Sequence, residues 1–386
     1  MFTSSTEAHS ARCAAYNFNA AIIPTLSIPT AVTKILFRLG ELFCGPGGIG
    51  CGVEKACSNK ELNAEIKHVW ANDIDPAACQ TYSRRFKGAK VVNADVHEFI
   101  DDVIEGKLPG IDALTFGFPC NDFSIVGEKK GLNGKYGPLY RCGVAILEAL
   151  HPRWFLAENV SGITNANQKA AFKKIVDDMR SAGPGYKLVI HEYKFEEYGV
   201  PQARHRMIIV GVRSDLHKKG VVFKVPAPSR KTMSSREALK GIPRNAANQE
   251  LTRQSLTVIE RLKHIMPGQN VWNADLPSHL KLNVKGAKLS QIYKRLDPDK
   301  PSYTVTGSGG GGTHVYHWSE NRSLTNRERA RLQTFPDDYV FQGSKEQVRK
   351  QIGMAVPPMG VAIIIGAVVK SFQKKTYKSV NASIEE

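Results

Sequence analysis

The chain has 386 residues, 42% hydrophobic and 23% charged, enough to bury a full α/β core and outside the range of disordered or collagen-like sequences. Its net charge of +17 is concentrated: residues 213–300 hold 18 Lys and Arg against 7 Asp and Glu, the footprint of a phosphate-binding surface more than of general solubility. No apolar run reaches the ~18 residues of a membrane span, no basic-then-apolar leader precedes Glu7, and the seven cysteines include no C-x-x-C pair, so no membrane span, secretory signal or metal site is expected, and a reducing cytoplasm is.

Residues 1–34, rich in Ser, Thr, Ala and Pro, read as an extension ahead of the first domain. Strand-like runs at 35–43, 68–72, 91–93 and 111–116 then alternate with helical patterns, which predicts βαβ units and a parallel sheet. Runs at 154–158, 188–193 and 207–212 extend it to about seven strands, making 35–212 one α/β domain. Beyond 212 the sequence turns basic and Pro-punctuated (VPAPSRK, IPRNAAN, IMPGQN, DLPSH), which predicts a smaller irregular domain over 213–300. The tetraglycine 309–312 marks a return to the first domain over 301–386. There, 324–333 reads as a helix capped by Thr325 with Glu328 three residues on. The apolar stretch 356–369 reads as a buried helix whose start Pro357 and Pro358 restrict.

The first strand runs into GPGGIG, residues 45–50. A strand, a glycine turn and a helix converge several backbone N–H groups on one point, and the glycines allow a ligand close to the backbone. Asp73 of ANDIDP, 23 residues beyond Gly50, is placed to accept from ribose hydroxyls, and Asp95 of VVNADV ends the third strand. Read alone, the turn suits any adenosine ligand, NAD included, or is a tight turn with no ligand. The acids at successive strand ends favour a cationic sulfonium over a pyrophosphate.

GFPCNDFS puts Cys120 just outside the carboxyl end of a strand, where open α/β sheets bind ligands. A free cysteine is usually a small buried hydrophobe. Here Pro119 precedes it, and the Gly- and Lys-rich stretch 126–137 that follows reads as an exposed loop able to close over a substrate. In chain order the motifs are ELFCGPGG, ANDID, NADV, GFPCNDFS, AENV, YGVPQARHR, RLQTFPDDY and QIGMAVPP. This series resembles the DNA (cytosine-5) methyltransferases of restriction–modification type, over residues 36–371.

The resemblance implies a doubly wound, mostly parallel α/β sheet of the Rossmann-like, S-adenosylmethionine-dependent kind, with a smaller irregular target-recognition domain. It implies a monomer acting on double-stranded DNA, in functional pairing with a cognate restriction endonuclease. Cys120 is then the nucleophile that adds to C6 of cytosine, its thiolate needing a polar or positive setting. Glu158 of AENV holds or delivers the N3 proton, and Arg204 and Arg206 brace the site. S-adenosylmethionine is assigned to Phe43, Gly45, Gly47, Gly48, Asp73, Ile74, Asp95, Val96, Pro119, Leu139, Ala355 and Val356. The target base must be flipped out of the duplex, with Ser124, Val126, Lys129, Lys130 and Gln202 on the DNA side.

Other readings are the same chemistry on RNA, a catalytically silent DNA-binding relative, and a dehydrogenase. The first lacks the CFT tripeptide of the transfer-RNA branch, and the last finds nothing downstream to supply hydride chemistry. Two residues depart from the family pattern: Glu41 stands in place of Asp, and Met354 in place of the Asn of the final motif. Because that Asn lies near the methionine part of the cofactor, a Met354→Asn variant is expected to bind S-adenosylmethionine more tightly; equal constants by titration calorimetry would remove the idea.

Overall fold

The computed structural model describes residues 34–118, 139–164, 169–229, 231–283, 289–310 and 312–384. Residues 1–33, of the predicted extension, and 119–138, which include the predicted closing loop, lie outside the described residues. The seven predicted strands are all present: β1 (Ile35–Leu42), β2 (Ala64–Asp73), β3 (Lys90–Asn93), β4 (Ala113–Gly117), β5 (Trp154–Val160), β6 (Tyr186–Lys194) and β7 (His205–Arg213). They form one sheet in the order β3-β2-β1-β4-β5-β7-β6. The first five are mutually parallel, whereas β7 runs antiparallel between β5 and β6. The link between β6 and β7 holds only the 3-10 turn Phe195–Tyr198, too short for the helical crossover that a parallel return needs.

The helices are α1 (Gly48–Cys57), α2 (Pro76–Arg85), α3 (Val96–Ile104), α4 (Tyr140–Leu150), α5 (Lys169–Ser181), α6 (Ser214–Lys218), α7 (Ser235–Leu239), α8 (Leu256–Lys263), α9 (Asn326–Leu332), α10 (Lys345–Met354) and α11 (Pro358–Phe372). On one face of the sheet α3, α4 and α5 bury Phe99, Ile146 and Ile175 against Trp70, Leu114 and Phe116. On the other, α1 and α11 bury Val53, Ile364 and Val368 against Phe37, Leu39 and Trp154. Helices cover both faces, as a doubly wound fold requires.

Two helix starts follow from local chemistry. Thr325 and Glu328 form the predicted capping box of α9, each side chain taking up the other's backbone N–H. Pro357 caps α11 and Pro358 is its first residue, so the helix begins two residues later than the apolar pattern alone predicts; at that position proline's missing N–H costs nothing. The stretch Lys345–Phe372 is long and apolar enough to cross a membrane by length and composition, yet most of it is buried inside the fold.

From Lys34 onward the chain clusters as one compact unit, basic segment included. That segment has a small core of Leu262, Ile265, Val271, Leu276, Leu280 and Tyr293, joined by Tyr316 from the returning chain. Its one described strand, β8 (Val225–Pro226), pairs with β9 (Ser379–Val380) from the C-terminal tail. Arginines take the place of a ladder: Arg295 donates to the carbonyls of Leu262, His317 and Trp318, and Arg331 to those of Ala238 and Lys240.

Two adjacent glycines at the start of α1 are needed for different reasons. Gly47 caps the helix at φ 86°, a left-handed conformation that strains other residues. At Gly48 the limit is space, because a Cβ there would lie 2.5 Å from the Val356 carbonyl oxygen. Gly48→Ala is therefore expected to prise α1 from the α10–α11 junction and destabilise the fold by roughly 1–3 kcal/mol. Denaturant titration of wild type and variant checks this, and an unchanged midpoint would show that the junction yields.

Candidate active site

Glu158 and Arg206 converge where β5 and β7 run side by side. Arg206 Nε lies 2.8 Å from Glu158 Oε1, with both side chains largely buried. In the β4–β5 ladder Glu158 sits opposite Gly117, and a Cβ on Gly117 would come within 3.1 Å of Glu158 Oε2. The carboxylate thus lies beside the end of β4, three residues before Cys120. Asn159 Nδ2 donates to the Phe118 carbonyl at 3.2 Å, tying down the chain two residues before Cys120. Cys120 itself, with Pro119, Ser124, Val126, Lys129 and Lys130, lies outside the described residues.

Two expected site residues turn inward instead. Arg204 is fully buried, and its guanidinium donates to the carbonyls of Val305 at 3.2 Å and Gly353 at 3.0 Å; it is a strut between segments, not a group facing substrate. Gln202 is also fully buried, donating to Leu332 O and Gln333 Oε1 and accepting from Val305 N. Its amide is thus engaged inside the protein and not on the surface expected to face DNA.

On the other side of the sheet's centre, the Gly45 N–H donates to Asp73 Oδ2 at 2.8 Å, while Asp73 Oδ1 accepts from Asp75 N at 2.9 Å. Burial pushes the Asp73 carboxyl above its ordinary range, and these two hydrogen bonds pull it back. Asn72 Nδ2 donates to the carbonyls of Val92 and Ala94, drawing the end of β3 with Asp95 towards the end of β2. Ile74 is 71% exposed. Asp95 caps α3 through His97 N, and Val96 buries its side chain beside Phe99, leaving only its backbone for a ligand. Ala355 and Val356 are buried against Gly48, and Phe43 and Leu139 pack at the rim of the core. Met354 projects outward, 63% exposed. Gly45, at φ 52°, has open space where a Cβ would be, unlike its walled-in neighbours. An open glycine flanked by carboxylates and an exposed aliphatic side chain suits an adenosine with a cationic tail.

Behind the turn lies a polar chain that the sequence does not announce. Tyr82 Oη sits 3.0 Å from both Glu41 Oε2 and His68 Nδ1, and Tyr339 donates its hydroxyl to the Pro46 carbonyl. Burial raises the Glu41 carboxyl to about 8 against the hydrogen bond from Tyr82, and lowers His68 to about 4. Glu41 was legible only as a departure from pattern, and no spacing signalled Tyr82.

A family profile described as C-5 cytosine-specific DNA methylase matches residues 37–370. The chain belongs to this family of DNA methylases. Among curated relatives, the Type II methyltransferase M.BbvI of Brevibacillus brevis is 56% identical over 355 residues, 90% of this chain and 94% of that one. The Type II methyltransferase M.NgoFVII of Neisseria gonorrhoeae is 38% identical over 344 residues, 87% of each. Solved structures share the fold at lower identity: the Entamoeba histolytica methyltransferase EhMeth has a TM-score of 0.59 at 15% identity, covering 87% of this chain and 98% of that one. The S. pombe Dnmt2 methyltransferase has a TM-score of 0.56 at 18% identity, with the same coverage. The match spans the doubly wound sheet and both the AENV and QARHR segments.

The pH dependence of the methylase's stability follows from Glu41. Its folded value of about 8 exceeds the ordinary 4.5, so its contribution is fully present below 4.5 and is lost as pH rises towards 8. His68 acts in the opposite sense, but between 6.5 and about 4. The window from pH 6.5 to 8 therefore belongs to Glu41. Unfolding free energy should fall across it in wild type and fall less in Glu41→Gln; parallel slopes in the two proteins would contradict the assignment.

Proposed function

We propose that this methylase transfers a methyl group from S-adenosylmethionine to C5 of a cytosine within a short duplex DNA sequence, through base flipping and a covalent bond from Cys120 to C6. The reading rests above all on the Glu158–Arg206 pair beside the strand end that leads to Cys120. C5 of cytosine is too weak a nucleophile within an aromatic ring. Addition of the Cys120 thiolate at C6, with a proton delivered to N3 by Glu158, makes C5 an enamine carbon. Arg206 holds Glu158 in register and presents positive charge to the O2 edge of the base. When bound, S-adenosylmethionine supplies an electrophilic methyl group. Gly45, Asp73, Ile74 and Asp95 would hold the adenosine, with the backbone of Ala355 and Val356 closing the methionine side. Loss of the C5 proton and departure of the Cys120 thiolate then restore the ring.

The flipped base is reached only after the cost of unstacking, a few kcal/mol, is met. The loop 121–137 would close over it, and the basic segment 213–300 would provide phosphate anchoring and base reading as a target-recognition domain. The protein would work as a cytoplasmic monomer, protecting DNA against a cognate restriction endonuclease, as the Type II label of its relatives suggests.

Substituting 5-fluorocytosine in a DNA library blocks the last elimination. A denaturation-resistant complex should form with S-adenosylmethionine, disappear in Cys120→Ser, and yield the recognised site when the trapped DNA is sequenced. Glu158→Gln should lower turnover by ~10²–10⁴-fold. No adduct despite retained DNA and cofactor binding would favour a silent DNA-binding relative.

A further inference from the structure

Arg206 has a second anchor besides Glu158: its Nη1 donates to the carbonyl of its neighbour His205 at 2.7 Å. The residue that bears that carbonyl and the one before it are held by Glu196, in the 3-10 turn between β6 and β7. Glu196 Oε2 accepts from Arg204 N at 3.2 Å, and Oε1 lies 2.7 Å from His205 Nε2. One carboxylate therefore grips two consecutive residues at the mouth of β7, one by the backbone and one by the side chain. Tracing contacts inward, Glu196 holds His205, the His205 carbonyl holds Arg206, and Arg206 holds Glu158.

We propose that Glu196, acting through His205, is a positioning residue for methyl transfer, fixing the guanidinium plane of Arg206 against Glu158. This rests on the roles given above to Glu158 and Arg206. A guanidinium with one anchor swings about its long stem, whereas two anchors fix its plane. Misplacing a catalytic group by about 1 Å costs as much as ~10²-fold in rate. General scaffolding is already supplied by other contacts. β7 is laddered to β5 on one side and β6 on the other, and Arg204 ties its entrance to Val305 and Gly353. Removing Glu196 should therefore disturb the aim of Arg206 and leave the fold, cofactor binding and DNA binding in place.

The test compares kcat and KM for DNA and for S-adenosylmethionine in the full-length protein across Glu196→Ala, Glu196→Gln, His205→Ala and His205→Gln, with Glu158→Gln and Arg206→Lys as references. Glu196→Ala should lower kcat by roughly 10- to 100-fold with both KM values near wild type and the melting temperature little changed. Glu196→Gln, which keeps an acceptor for Arg204 N, should lose less. His205→Gln, whose amide can donate in place of the ring, should recover most of what His205→Ala loses. In Arg206→Lys, which lacks the fork, adding Glu196→Ala should cost little more, since the two act in one chain. Wild-type kcat in Glu196→Ala, or a loss that adds in full to that of Arg206→Lys, would overturn the proposal. Full activity in Glu158→Gln would overturn the reading of Glu158 on which it depends.

Discussion

One buried guanidinium ties together three segments of this methylase that lie far apart in sequence. Arg204, at the mouth of β7, donates to Val305 O, 101 residues on, and to Gly353 O, 149 residues on. Its neighbour Gln202 adds bonds to Val305 N, Leu332 O and Gln333 Oε1. The VPQAR turn is thus a knot joining β7 to the returning chain, α9 and α10. The positions of Arg206 and Glu158 on one side, and of Val356 against the glycine turn on the other, descend from it. A side chain with five fixed donors suits this task, because loop carbonyls must find partners somewhere once they are buried.

The same device recurs through the basic half of the molecule. Arg327 gathers the carbonyls of Ala247, Pro336 and Tyr339, and Arg295 those of Leu262, His317 and Trp318. Arg204, Arg295, Arg327 and Arg329 are all buried, so part of the +17 charge is used to organise irregular backbone and does not face phosphates. Composition alone cannot separate these uses. A lysine, with a single flexible ammonium, would serve the surface role but not the internal one.

The sheet was largely legible because alternating strands and helices leave periodic patterns, and the capping box at Thr325 is a local signal that needs no tertiary context. The antiparallel insertion of β7 was not, since strand direction depends on the length and course of a link rather than on the strand's own residues. Among site residues, Glu158 and Arg206 lie together as their motifs suggest. Arg204 and Gln202 share a motif with Arg206 and yet turn inward: a spacing of two would set all three on one face of a regular strand, but β7 begins only at His205, and the chain before it packs against Val305, Leu332 and Gly353. Motif membership marks a segment as needed; it does not say whether a given side chain faces the ligand or the scaffold. The Glu41–Tyr82–His68 chain was invisible for a related reason, its members being 41 and 14 residues apart with no motif to join them.

The Arg204 knot also bears on the order in which the protein is made. Domains tend to fold as units while the chain emerges, amino-terminal parts first. Here β1 to β5 could pair early, but the strut under Arg206 lacks one partner until synthesis has passed Gly353. A nascent or prematurely ended chain can therefore own most of the sheet and the glycine turn without the fixed strand entrance that aims Arg206 at Glu158. On the roles proposed above for Arg206 and Glu158, fragments that end before Gly353 would carry the sheet without the strut that steadies the site.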